Sequence, residues 1–275
     1  MMADADLDEE ISALRKELNW LLNEELQHVL QQVQYTLAEC SQRFLTEKDK
    51  ESEESNFSCI KPQRILLSGP NGASHIRCVL TLHGDNITEA DINFKHKQGN
   101  HHSLFKTSIH QSLPWKLQQI QDASNHLRCA AFCISTKDDY AFKSVREVTL
   151  FLDEVMESIK KGRTCLTFPR RKSVEELLNN QNMQVFQPSI PNSVSLSFYI
   201  HTSKLILALY QLHHNAQLQK MEVSARHQVE CTVKWLNEAV MLFTLAIQQI
   251  QQLKDKFQAL QCFEELENYV NEGPS

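Results

Sequence analysis

Apolar residues near the N-terminus fall at Leu7, Ile11, Leu14, Leu18, Leu22, Leu26, Val29, Val33, Leu37, Cys40 and Phe44, in steps of three and four with no proline or glycine among them. The spacing predicts one long amphipathic helix of about 40 residues, roughly 60 Å in length. Its mean step of about 3.7 residues exceeds the 3.5 of a sustained heptad, which favours a nearly straight bundle helix over a parallel zipper. The other end of the chain mirrors it. Val229, Val233, Leu236, Val240, Phe243, Ile247 and Ile250 keep a strict four-three spacing, followed by Leu253, Phe257 and Leu260, and predict a second long helix.

Between these ends the period changes to two. Ile76, Cys78, Leu80 and Leu82 alternate with more polar neighbours and run into a Gly84-Asp85-Asn86 turn. Asp91 to His96 and Ser103 to Ile109 continue the alternation across Gln98-Gly99-Asn100, with Arg64 to Ser68 a further strand before them, so an antiparallel meander is expected. Helical spacing returns from Pro114 through Leu117, Ile120, Leu127, Ala131 and Ile134, and again, after Lys137-Asp138-Asp139, through Val145, Val148, Leu152, Val155 and Ile159. Gly162 to Pro191 reads as irregular, with a short helical piece near Glu175. Val194, Leu196, Phe198 and Ile200 then alternate, and Leu205 to Leu212 is expected to pair back with them, a single helix being the alternative.

A helix with one apolar stripe must bury it against another element, and the two longest helices lie at opposite ends of the chain. The expected fold is therefore α+β: an elongated antiparallel helical bundle pairing the N- and C-terminal helices, with an inserted antiparallel β-sheet domain whose two segments share one sheet. Residues 1–50, 113–162 and 224–264 are assigned to the discontinuous bundle, 56–111 and 163–214 to the discontinuous β-sheet domain, and 265–275 to a flexible tail. Glu47 to Ser55 is charged, almost without apolar content, and reads as a linker.

Composition narrows the function. The chain has 275 residues, 41% hydrophobic and 23% charged, which is ordinary for a globular protein. With 6 glycines and 7 prolines it has little material for phosphate-cradling loops. A net charge of −6 gives no global attraction to nucleic acid or anionic lipid, so no nucleic acid partner is expected. Met1 to Glu10 is acidic and lacks the basic and apolar regions of a secretory signal, and no apolar run reaches membrane-spanning length, which places the expected chain in the cytoplasm. On that reading Cys40, Cys59, Cys78, Cys129, Cys133, Cys165, Cys231 and Cys262 are reduced, buried thiols, and the triplets at Asn56 and Asn86 are accidental glycosylation matches.

Few groupings along the chain have the residue types that chemistry requires. His126, Cys129 and Cys133 share a helical face, but a fourth metal ligand is missing and a packed helix face is the plainer reading. His101-His102 and His213-His214 fall in expected turns, where adjacent histidines point apart. Ser68-Gly69-Pro70-Asn71-Gly72 lacks the lysine and hydroxyl of a phosphate loop, and Glu24-Glu25 reads as solvated charge. No nucleophile, metal or cofactor site emerges, so the chain reads as non-enzymatic. The one concentrated cationic segment, Lys160, Lys161, Arg163, Arg170, Arg171 and Lys172, is the candidate partner-binding patch, weighed against a solvated loop. It also supports a rival reading as a nuclear or nuclear-envelope interaction protein, and Arg170-Arg171-Lys172-Ser173 resembles a basophilic kinase site.

The run Trp115-Lys116-Leu117-Gln118-Gln119-Ile120-Gln121-Asp122-Ala123-Ser124-Asn125-His126 resembles the matching segment of the Rogdi family. So, in the same order, do Trp20-Leu21-Leu22, Val79-Leu80-Thr81-Leu82-His83-Gly84-Asp85, Ala90-Asp91-Ile92-Asn93, Tyr210-Gln211-Leu212-His213, Trp235-Leu236-Asn237 and Gln251-Gln252-Leu253-Lys254-Asp255-Lys256. The resemblance implies a leucine-zipper-like subunit of the RAVE, or rabconnectin-type, assembly, which promotes joining of the V-ATPase sectors and so acidification of organelles. It further implies a large rabconnectin or Dmx-like β-propeller scaffold and the V-ATPase sectors as partners, recruitment to endomembranes or synaptic vesicles, and no catalytic motif. The short connection from Asn215 to Val223 departs from family members that carry a longer insertion there.

Overall fold

The N-terminal stripe folds as a continuous helix whose hydrogen bonding changes once, through α1 (Met2–Trp20), a single π-helical turn (Leu21–Glu25) and α2 (Leu26–Gln42). Its buried apolar residues are Leu18, Leu21, Leu26, Leu30, Val33, Leu37 and Cys40. Past the π turn they alternate by four and three, whereas the step across it is five. The π turn takes up one extra residue, with the Leu26 N–H bonded back to the Leu21 carbonyl, and so keeps the stripe on one side. The mean step read from the sequence thus averages a 3.5-residue repeat over one inserted residue; Leu22 and Val29, read as stripe positions, are only half-buried.

This computed structural model describes residues 2–44, 61–69, 75–98, 101–136, 142, 144–170, 172–215 and 219–272, with side chains left aside at 2–8, 96–98, 101–102, 181 and 265–272. The Glu47–Ser55 linker, Pro70-Asn71-Gly72, Gly99-Asn100, Lys137-Asp138-Asp139, Asn56, Cys59 and Arg171 lie outside the described residues. The chain divides into two compact units, one of Met1–Ser41, Asn125–Arg163 and Met241–Ser275, the other of Gln42–Ser124 and Thr164–Val240.

The first unit is helical. The C-terminal helix α6 (Lys234–Glu272) runs antiparallel to α2: Lys256 Nζ meets Glu25 Oε1 at 2.6 Å, and the same order holds further along, where Thr36 Oγ1 donates to Gln249 Oε1 at 3.3 Å. Glu25 is thus ion-paired, not simply solvated as its sequence context indicated. The buried positions of α6, Leu236, Ala239, Phe243, Ala246, Ile250, Leu253, Phe257 and Leu260, alternate strictly by three and four, which is a heptad seam. Val240 and Ile247, expected on that seam, are half-buried, and Ala239 and Ala246 take their places. α4 (Val145–Thr167) also lies antiparallel to α6, with Lys254 Nζ 2.5 Å from Asp153 Oδ1. The Glu264 carboxylate accepts the Val145 N–H at 3.0 and 3.1 Å, satisfying a donor left open at the start of α4. α3 (Gln118–Ser135) adds Leu127, Ala130 and Ile134 to the core of this unit.

The second unit holds two antiparallel sheets, which corrects the expectation of one shared sheet. The first sheet orders β1 (Gln63–Leu67), β2 (Ile76–His83), β3 (Asn86–Gln98) and β4 (His101–Ile109) as a meander, and β5 (Trp115–Lys116) pairs with the start of β3. The second orders β6 (Val194–His201), β7 (Lys204–Asn215) and β8 (Lys220–Thr232). Among the described residues a single bridge, Ser68 with Glu230, joins the end of β1 to β8. Trp115 of β5 anchors the apolar interior against Phe186 and Phe198, with ring centroids 5.7 and 5.4 Å away. Gly84, at a φ of 58°, makes the two-residue turn from β2 to β3 that its sequence context predicts.

Other element readings change. Residues 224–232, expected to open the last helix, belong to β8. Met221, Val223, Ala225, Val229 and Cys231 alternate with Glu222, Ser224, Arg226, Gln228 and Glu230, a period of two that the single Val229–Val233 step obscured. Trp115 and Lys116, expected in a helix, form β5. α4 passes through Gly162 to Thr167 because Ile159, Gly162 and Leu166 continue its buried face. His101-His102 and His213-His214 lie in β4 and β7, not in turns. Positions 265–272, read as tail, continue α6.

Candidate functional site

The continuation of α4 fixes the first half of the cationic segment. Lys160 and Lys161 are exposed on its C-terminal turns and Arg163 is half-buried. Lys161 Nζ lies 2.7 Å from Glu157 Oε1, one turn earlier, and holds that carboxyl below its ordinary pKa through this hydrogen bond and charge. These three cations belong to the first unit; Arg170 and Lys172 belong to the second.

Around Arg170 the chain builds a small, fully specified structure. Ser173 caps α5 (Val174–Leu178): its hydroxyl accepts the Glu176 N–H at 3.1 Å, and the Glu176 carboxylate accepts the Ser173 N–H at 2.8 Å. Arg170 Nη2 meets the other Glu176 oxygen at 2.6 Å. The Glu176 carboxyl is held below the ordinary range, first by the Ser173 backbone N–H and then by Arg170, with Lys172 a smaller contribution. Lys172 is exposed as a residue, yet chain packed around its ammonium lowers its pKa; Arg170 adds to this and Glu176 opposes it. An acidic partner reaching this end of the segment would compete with Glu176 for Arg170 and Lys172.

Of the described cysteines only Cys40 and Cys78 are buried, which corrects the reading of all eight as core thiols; Cys129 and Cys262 are exposed. Burial raises the thiol pKa of Cys78, with Asp91 adding to it, and of Cys165, with Asp122 adding to it. Cys133 is raised by burial and then by Glu154 and Cys129. Raised pKa values disfavour the thiolate that nucleophilic chemistry requires. Among the described residues no group of three or more His, Cys, Asp or Glu stands close enough to hold a metal ion. Among the described residues no helix is long and apolar enough to cross a membrane.

The helical unit also presents a polar groove beside the seam, about 270 Å³, where Glu25, His28 and Gln32 of the N-terminal helix face Gln249, Gln252 and Lys256 of α6. Tyr35, next along this face, is 75% exposed. Glutamine amides and an exposed phenol offer hydrogen bonds to another polypeptide.

Heptad-spaced helices from the two ends of one chain, with an intervening β unit, define a leucine-zipper-type α+β protein. This chain belongs to the Rogdi family: the family described as Rogdi leucine zipper containing protein matches residues 17–234. Protein rogdi of Drosophila melanogaster is 34% identical over 269 residues, covering 96% of this chain and 94% of its own. The Danio rerio and Homo sapiens rogdi homologues are 36% and 33% identical, each covering 92% of this chain and 95% and 94% of their own lengths. Rogdi is not a known enzyme family, and its leucine-zipper character points to interactions with proteins.

Proposed function

We propose that this protein is a non-enzymatic adaptor subunit of a RAVE-like complex, which promotes V-ATPase assembly and thereby acidifies organelles or vesicles. The observation that carries this reading is Rogdi membership over nearly the whole chain. A heptad seam uniting the chain's two ends is in keeping with it, because a fixed scaffold with exposed polar and cationic faces is what an adaptor needs. The partners are then a rabconnectin-like β-propeller scaffold and the V-ATPase sectors, met in the cytoplasm at endomembranes or synaptic vesicles. The six-residue cationic segment is one candidate contact for an acidic surface on either. Affinity capture of the tagged full chain from cells, with mass spectrometry of what it retains, should recover both scaffold and pump subunits; capture that repeatedly retains neither would remove this reading. The nuclear alternative rests on the cationic segment alone, and unchanged nuclear levels after charge removal at Arg170, Arg171 and Lys172 would dispose of it.

A further inference from the structure

The outer strand β4 leaves part of its backbone open. The Ser108 N–H donates to the Gln187 carbonyl at 2.8 Å, and the Ser108 carbonyl accepts the Gln187 N–H at 2.9 Å, so Ser108 faces away from β3. Strand alternation then turns the N–H and C=O of Lys106 and Leu104 outward as well, while Phe105 and Thr107 pair with Phe94 and Ile92 of β3. Among the described residues the bridge to Gln187 is the only pairing on this outer side. Beyond it the edge is unpaired, and Leu104, on the solvent face, is 62% exposed. An aliphatic side chain beside an open edge is the reverse of the usual protection of such strands.

The same face is cationic. In the register Arg77–Asn93–Lys106 runs across β2, β3 and β4, and Lys95 stands opposite Leu104 in the next row. Arg77, Lys95 and Lys106 are exposed. In a chain of net charge −6, these three cations stand on one face with no ion pair joining them to a carboxylate among the described residues; the carboxylates further along β3 on that face, Asp91 and Glu89, accept hydrogen bonds from Ser108 and Gln111.

We infer that the β4 edge from Leu104 to Lys106 is a docking site for an extended acidic peptide segment of a partner protein, added to the sheet as an antiparallel strand. The added strand would lie about 4.8 Å from β4 and bond the outward groups of Leu104 and Lys106. Residues directly opposite in an antiparallel pair share a face, so the peptide presents a carboxylate beside Lys106 and, two residues later, an apolar side chain beside Leu104. The recognised pattern is acidic, any residue, apolar. Lys95, on β3 opposite Leu104, adds a second cation one strand further in. A second copy of the chain is disfavoured, because two such edges brought together oppose cation to cation. The inference deepens the adaptor reading by giving it a contact surface, but does not depend on which assembly the chain joins.

The test uses the purified full chain and a labelled synthetic decapeptide with Glu-Thr-Leu at its centre, beside controls carrying Lys-Thr-Leu or N-methylated at alternate backbone nitrogens. Binding by fluorescence polarisation should occur for the first peptide only and should slow amide exchange at Leu104 and Lys106, whose N–H groups otherwise face solvent. Lys95→Glu with Lys106→Glu should weaken binding at least tenfold. Leu104→Pro removes an outward donor without removing a β3 ladder bond, and should abolish binding while leaving the far-UV spectrum unchanged. If that variant misfolds, the N-methylated peptide asks the same question of the unaltered protein. Binding that ignores the lysines, or leaves both amides unprotected, overturns the proposal, as does protection of those amides by self-association or by anionic phospholipid vesicles in the absence of peptide. Because no cellular partner is involved, the peptide result and the affinity-capture result can fail independently.

Discussion

Gln119 does with one side chain what a neighbouring strand does with its backbone. Its Nε2 donates to the carbonyls of Ile200 and Cys165 at 2.9 and 2.7 Å, and its Oε1 accepts the Ile200 N–H at 2.7 Å. It thereby satisfies the outward groups of β6 at Ile200 and a carbonyl near the end of α4. The Ile200 residue is fully buried, so water cannot readily replace the lost partner. Gln119→Leu should cost about 1 to 3 kcal/mol, lowering the melting temperature by several degrees and quickening amide exchange at Ile200; unchanged exchange there would show that this amide is not its protector. Nothing in the sequence marked Gln119 for this task. A glutamine on a helix is usually a solvated residue, and its partners lie 46 and 81 positions away. Separation along the chain also hid Arg77, Lys95 and Lys106, which come from three different strands, whereas Lys160 to Lys172 stood out because their neighbours in the chain are also cationic.

Elements were legible where their residues alternated. β2, with one face buried, and β6, where serines alternate with Val194, Leu196, Phe198 and Ile200 although both faces are covered, announced themselves by period, and α4 by Val145, Val148, Leu152, Val155 and Ile159, all fully buried; β7, buried on both faces from Leu205 to Leu209, has no such alternation and left a helix as the alternative. β8 was misread because its apolar side is only partly covered and one of its valines matches the spacing of the following helix. The π turn was invisible for a different reason: one inserted residue raises the mean step of a 3.5-residue repeat toward that of an ordinary straight helix, so a local irregularity reads as a regular stripe. α5, at five residues, exists through its cap. Ser173→Ala removes the hydroxyl that accepts the Glu176 N–H and should cost about 1 kcal/mol of local stability, read as faster amide exchange at Glu176. A pH dependence follows from the depressed Glu176 carboxyl. A carboxyl whose folded pKa is lowered contributes stability above its ordinary value and loses it as pH falls through the folded one. The Ser173 amide should therefore lose protection only below about pH 4, and Glu176→Gln, which keeps the acceptor but not the charge, should flatten that loss.

At the scale of the whole molecule, residues more than two hundred positions apart form one helical seam, and both its orientation and its repeat have consequences. Lys256 with Glu25 and Gln249 with Thr36 set the antiparallel order inside the helical unit. The pairing of terminal helices was readable because two long stripes at opposite ends had no other helix of equal length; the 3.5-residue repeat was readable in the C-terminal helix, though Ala239 and Ala246 hold the positions assigned to Val240 and Ile247, and was masked by the π turn in the N-terminal one. Ala239 and Ala246 leave room for close approach of helix backbones, while Phe243, Ile250, Leu253 and Phe257 fill the seam between them. Leu253 is 1% exposed and adjoins Val29 beside the polar groove. Truncating a buried leucine costs about 2 to 5 kcal/mol, and Leu253→Asp adds the burial of an unpaired carboxylate. The sum is comparable with the roughly 5 to 15 kcal/mol that holds a typical domain folded. Because the seam is built from both ends of the chain, limited proteolysis of Leu253→Asp should open cleavage near Val29 together with cleavage near position 253, at equal rates, and partner capture should fall with it. Cleavage confined to α6, or a melting temperature equal to that of the unaltered protein, would mean that the N-terminal helix is held by something other than this seam.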